Sequence, residues 1–358
     1  LFRSVVYGFL GNFLSTWDGQ NYAPLIFSLI TCVKPSSYTE LHSSILEPLK
    51  KIFFAFDVYT KTMCISALTK LMRNLALEEK SGSLFQTGRT SELDQPELRL
   101  ESSRTSLCGE DGVDQQGSSN GEPGHEASTL DVLYRMILLL DVIIVIGMRM
   151  EDDHYLLQIS SLELLQLVAE MYMKYNIPLI CLPMRLIHRL LLSDCPATLS
   201  RICGIINIFR DAFVSLKSNT KKSHMLFISC ATISNHQVVS AFKGTDTFNT
   251  LLLDVLGMFW QGRMFTDRKR KSDSLFSFRL PSHLEGKLKN NSLSIYMGPA
   301  FIGLAYRFLK ETQREGKRVH PVQIEEVKEI YLQFLVRENF PEFMQLVNKN
   351  ITCRKIRN

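Results

Sequence analysis

No two cysteines stand in a C-x-x-C arrangement, and the eight present (Cys32, Cys64, Cys108, Cys181, Cys195, Cys203, Cys230 and Cys353) are scattered, most of them in apolar stretches. This speaks against knuckle-type zinc sites and against the disulfide framework of small secreted domains. A reducing compartment is expected, with thiols serving as small core residues. Also missing are the P-loop, G-x-G-x-x-G, G-x-S-x-G and H-E-x-x-H patterns, so the commonest nucleotide, esterase and zinc-protease signatures are absent. No catalysis, cofactor or small-molecule substrate is expected. Nor is there an apolar run of the roughly 20 residues needed to cross a bilayer. The most lipid-like stretch, MILLLDVIIVIGM at residues 136–148, is shorter and has Asp141 at its centre. It reads as a buried helix, and no membrane partner is expected.

What the chain does have is helix-forming apolar pattern, with 45% hydrophobic residues in a length of 358. That is enough for one large core or several stacked small ones. It opens on Leu1 inside a helical pattern, which suggests the C-terminal part of a longer polypeptide. Residues 1–79 read as helices throughout. Ser37-Tyr38-Thr39-Glu40 is a capping box, with the serine oxygen taking the Glu40 N–H while the glutamate reaches back. It launches a helix to about Phe56 that tolerates Pro48, and a further helix from Tyr59 to Leu77 sets Met63, Ala67, Leu68, Leu71 and Leu75 on one face. From 80 to 128 Ser, Gly, Glu, Gln, Thr and Asp take over, and no periodicity survives. Such a segment cannot bury enough to offset its ordering entropy, and a disordered insertion is expected.

Helices resume for residues 129–358. Ser128-Thr129 suits an N-cap region, the helix runs to about Arg149, and MEDDH (150–154) is a polar turn. The stretch EMYMKYNIPLICLP (170–183) is apolar yet broken twice: Pro178 disfavours helix at Ile177, so a helix from about Leu156 ends near Tyr175, with Asn176 suited to a left-handed C-terminal position. A new helix is read from Met184 to Leu192, and Cys195-Pro196 starts another to about Leu216. Phe248, Leu251, Leu252, Val255, Leu256 and Phe259 recur at strict helical spacing, with Gly262 closing the helix. The piece LFSFRLP (275–281) reads as short and extended, and helices follow near Pro299, Pro321 and Pro341. No succession of strands that could build a sheet is read. The fold class is all-α, an irregular HEAT-like α-solenoid of stacked helix pairs (1–79 and 129–358) with one long disordered insertion (80–128).

Chemistry is sparse. Asp152-Asp153-His154 could be imagined as metal ligands, but adjacent side chains do not converge, and a solvated turn is the better reading. Cys181, His188, Cys195 and Cys203 are spaced along helices rather than on knuckles, and read as core residues. Trp17-Asp18-Gly19 follows the first helix. The tryptophan is expected to pack beneath a turn, the alternative being a partner-binding anchor. RMFTDRKRKSD (263–273) carries Arg263, Arg268, Lys269, Arg270 and Lys271 against two aspartates. Four consecutive cations on a turn suit nuclear import or phosphate-backbone contact without base readout, and otherwise a solvated loop.

Three segments in order, LSTWDGQN (14–21), AEMYMKYNIPLICLP (169–183) and NNSLSIYMGPAFIGLAYRFL (290–309), together resemble the C-terminal half of the centromere protein I family, the large helical subunits of the inner kinetochore. The resemblance covers roughly 1–79 and 129–312, and more faintly 329–347. It implies a non-catalytic scaffold in the nucleus, at the centromere. It also implies docking of centromere proteins H, K and M and a role in kinetochore assembly and chromosome segregation in cell division. It supplies no catalytic residue. Composition and periodicity alone equally allow a helical-repeat transport or trafficking adaptor. Joining residues 79 and 129 by a short flexible linker is expected to leave the helical circular-dichroism signal and the cooperativity of melting intact. Loss of either would place the removed segment in the core.

Overall fold

In the computed structural model the described residues are 2–87, 129–177, 179–218, 226–229, 241–261, 294–314 and 324–355. They are predominantly helical: α1 (Phe2–Leu14), α2 (Ala23–Thr31), α3 (Tyr38–Leu41), a π-helical turn (His42–Leu46), α4 (Glu47–Phe53), α5 (Val58–Thr87), α6 (Thr129–Met150) and α7 (Tyr155–Tyr175). There follow a strand β1 (Leu179–Leu182), α8 (Met184–Leu191), α9 (Pro196–Ser218), a strand β2 (Leu226–Ser229) and α10 (Ala241–Leu256) with a π-helical turn (Gly257–Gln261). The chain then forms α11 (Ile302–Arg314), α12 (Ile324–Arg337) and α13 (Pro341–Lys355). No helix is long and apolar enough to cross a membrane among the described residues.

The helices pack in succession. α2 lies on α5, α5 on α7, α7 on α9 and α9 on α13, while α3 lies on α6 and α6 on α8; α11 packs on α12 and α12 on α13. One continuous set of buried apolar side chains runs through these contacts, from Leu10 to Leu346. Along α10 the expected face is the one that packs: Phe248, Leu251, Val255 and Phe259 are buried. Phe213 of α9 stacks on Phe248 at 4.9 Å.

Two helix starts depart from the simple pattern for identifiable reasons. Ser37 Oγ accepts the Glu40 N–H at 3.2 Å, as a capping box requires, but the glutamate reaches back to Ser36, taking its N–H at 3.2 Å and its hydroxyl. The helix then widens into the π-helical turn before Pro48. A proline ring would clash with the carbonyl four residues back and has no N–H to offer it, and the wider turn relieves that.

The double break at 176–183 is not a plain turn between helices. Asn176 takes the left-handed conformation (φ 57°) and the Ile177 N–H closes on Met171 O at 3.0 Å, but the residues after it form β1. This strand pairs in parallel with β2, Leu179 opposite Leu226 through Leu182 opposite Ser229. The all-α expectation is corrected to that extent. Four consecutive buried residues cannot make a helical stripe, whereas a strand covered on both faces accepts an unbroken apolar run. The other boundary that moves is the end of α5. It continues through Thr87, eight residues into the segment expected to be disordered, and the Lys80 ammonium bonds the Lys174 carbonyl at 3.1 Å. Extending an existing helix needs only one bond per residue fixed. Residues 88–128 lie outside the described residues.

Asp141, at the middle of α6, is 1% exposed. Its Oδ1 accepts the Leu186 N–H at 2.9 Å and its Oδ2 lies 3.6 Å from the Arg185 guanidinium. α8 needs this, because its N-cap is Pro183, which has no side-chain acceptor. The carboxyl of another helix therefore caps it. Burial raises the Asp141 carboxyl to about 6, against the opposing pull of the Leu186 N–H and Arg185. The folded value lies above the unfolded one, so the stability it contributes is full below roughly pH 4 and is lost as pH rises through about 6. Asp141→Asn keeps an acceptor for Leu186 without the ionisation. The wild type is expected to lose up to about 3 kcal/mol relative to this variant between those two pH values, measured by urea unfolding. A difference that does not change with pH would contradict the buried carboxyl.

Candidate functional site

The Trp17 turn joins α1 to α2, and each residue of the motif has a physical task. Trp17 is 6% exposed. Its ring lies 6.2 Å from Phe13, 5.7 Å from Phe27 and 6.0 Å from Phe56, the last two edge-on, and its Nε1 donates to Asn21 O at 2.7 Å. Asp18 accepts the Gln20 and Asn21 N–H groups at 2.9 and 3.1 Å and the Asn21 amide at 2.6 Å, which holds its carboxyl below the usual range. Gly19 has φ 82°, and a Cβ there would fall 2.2 Å from the Phe56 ring. Only glycine fits both the dihedral and the space. The ring is thus packed into the α1–α2 junction.

The MEDDH turn between α6 and α7 is held from several sides. Lys61 of α5, 1% exposed, pairs with Glu151. Arg189 of α8 grips Asp153 with two nitrogens, Nε to Oδ1 at 2.7 Å. Asp152 and Asp153 both have positive φ, and the His154 ring accepts the Leu156 N–H at 3.3 Å, capping α7. Gln158 binds Asp153 O at 2.6 Å and takes the hydroxyls of Ser193 and Thr198 at 2.7 and 2.8 Å. These groups are engaged by the protein itself rather than set around a vacant centre. Sequence reasoning missed this role because Lys61 and Arg189 are remote in the chain.

Cys181 lies in β1 and not on a helix; His188 is in α8 and Cys203 in α9, all three buried, with Cys195 just ahead of α9. Burial holds His188 down at about 4 and pushes the Cys203 thiol up. Neutral imidazole and protonated thiol are the states of core residues. No group of three His, Cys, Asp or Glu side chains is placed to hold a metal ion among the described residues. An open cleft of about 440 Å³ lies between α2 and α5, edged by Val6, Val33, Asn74 and Glu78. Cys32 also lines it, and Glu78 faces Lys34 at 3.1 Å.

Arg263, Arg268, Lys269, Arg270 and Lys271 lie outside the described residues. The described residues flanking their segment are tied together: the Ile295 N–H bonds Phe259 O at 3.1 Å. Lys328 of α12 also sits over the Trp260 ring at 5.3 Å and bonds its carbonyl at 2.9 Å.

Residues 2–86, from α1 nearly to the end of α5 and so including the Trp17 turn, match the family described as CENP-I: Mis6. Centromere protein I of Gallus gallus is 22% identical over 314 residues, 85% of this chain and 36% of the relative. Those of Mus musculus and Rattus norvegicus are 21% and 22% identical over 347 residues, 96% of this chain and 40% of each relative. The chain is thus similar to CENP-I proteins, through the family model at its start and through these relatives over most of its length. It spans about two fifths of the length of these curated relatives. CENP-I proteins are centromere and kinetochore proteins. Trp17→Ala is expected to lower stability by about 3–5 kcal/mol in denaturant unfolding, the cost of emptying a large aromatic site. An unchanged midpoint would show that the ring does not carry the α1–α2 junction.

Proposed function

We propose that the chain is a non-catalytic scaffold segment of the inner kinetochore, an irregular HEAT-like α-solenoid on which centromere proteins H, K and M dock. The observation that carries this reading is the similarity to CENP-I proteins, through the family model at residues 2–86 and through relatives over most of the chain. The helix-on-helix succession supports the solenoid: α2, α5, α7, α9 and α13 form one row and α3, α6 and α8 a second, as stacked helix pairs do. Repeats of this kind present long surfaces to partners instead of enclosing a substrate. Co-expression with centromere proteins H, K and M, followed by size exclusion, is expected to give a co-eluting complex. Elution of the chain apart from all three would contradict the docking role.

Arg268, Lys269, Arg270 and Lys271 are proposed to contact DNA phosphates without reading sequence, on the ground of four consecutive cations in a chain similar to a centromere protein. Replacing Arg268, Lys269, Arg270 and Lys271 by alanine is expected to flatten the dependence of log affinity on log salt by roughly 3–4 units, at about 0.9 per contact. An unchanged slope with loss of nuclear entry would make the turn an import signal. Survival of both binding and import would make it a solvated loop.

A further inference from the structure

α11 carries two apolar stripes where one is enough to hold it in place. Phe301, just ahead of it, Ala305 and Phe308 are buried, and Phe308 packs on Tyr331 and Phe334 of α12 at 5.1 and 5.4 Å. One residue further along in each case, Ile302, Tyr306 and Leu309 repeat the same spacing of four and three and stand 58%, 60% and 43% exposed. Single exposed apolar side chains are ordinary, but three in register on one helix form a seam of the kind that seats a second helix. Gly303 lies on the same exposed side, and a Cβ there would meet nothing within 4 Å. The chain's own packing therefore does not ask for glycine, and the missing side chain leaves room for a close backbone.

The charge on this side has one sign. The exposed charged residues of α11 are Arg307, Lys310 and Arg314. Arg307 is engaged by Glu311 at 3.3 Å and Glu338 at 2.7 Å. Lys310 lies over the Tyr306 ring at 4.7 Å. Neither it nor Arg314 is in an ion pair among the described residues. We propose that the Ile302–Tyr306–Leu309 face docks an acidic amphipathic helix of a partner protein, its apolar seam running past Gly303 and its carboxylates meeting Lys310 and Arg314. A protein helix fits better than lipid, because two cations and a stripe one residue wide fall short of a stable membrane anchor. This goes beyond the kinetochore reading, since such a helix would bind whatever complex the chain serves.

The test uses the 358-residue chain and a fluorescent helical peptide about three heptads long with Leu at a and d and Glu at e and g. Its counterpart with Lys for Glu and vesicles rich in anionic lipid serve as comparisons. The acidic peptide is expected to bind saturably, about tenfold or more tighter than the lysine peptide. Lys310→Glu with Arg314→Glu should invert that preference. Gly303→Leu, which the fold has room for, and Tyr306→Ala with Leu309→Ala should each weaken the acidic peptide by about tenfold or more. Should the double alanine variant fail to fold, Gly303→Leu decides alone. The proposal is overturned by no saturable binding, by equal binding of the two peptides, by affinity indifferent to these substitutions, or by binding to the vesicles in place of the peptide.

Discussion

A carboxyl buried at the middle of the long apolar helix α6 fixes the geometry of the central helices. Asp141 has no neighbour on α6 that could satisfy it, and α8 begins at a proline that cannot cap it. Each defect answers the other: the Leu186 N–H points at Asp141 Oδ1. Apolar contacts between helices are non-directional and tolerate sliding. A buried carboxyl left without its donor would cost several kcal/mol, so this one contact sets where α8 crosses α6. The same division of labour recurs at the α6–α7 turn, where Lys61 and Arg189 reach in from α5 and α8.

The parts of this architecture written into local sequence were readable. Asn176 as a left-handed helix end, Ser37 as an N-cap, Pro196 in the first turn of a helix and the buried face of α10 all depend on neighbours within a few residues. What escaped reading is held by distant partners. β1 is a strand because β2 lies 47 positions later in register with it, and no pattern within four residues can report that. The back-reach of Glu40 to Ser36 instead of Ser37 is a choice between two adjacent donors that the motif does not distinguish. Asp141 was recognisable as a charge unsuited to lipid but not as the cap of a helix 45 residues away. At the candidate sites, Trp17 was readable as a packing residue because the Asp-Gly that follows it fixes a tight turn. The exposed second stripe of α11 was not, since the sequence shows which residues are apolar but not which face a neighbour covers.

Burial holds His188 neutral and Cys64 and Cys203 protonated. The described residues form a succession of helices, and the polar turn between α6 and α7 is braced from within by Lys61 and Arg189. The proposed role, a body that positions other proteins, rests on the similarity to CENP-I proteins.

The central claim is tested most directly by imaging the fluorescently tagged protein in dividing cells beside a marker of centromeric chromatin. The account predicts paired foci coincident with that marker on every chromosome as cells enter and pass through mitosis. A diffuse signal, or one on transport vesicles with nothing at centromeres, would contradict it and return the helical array to the adaptor class.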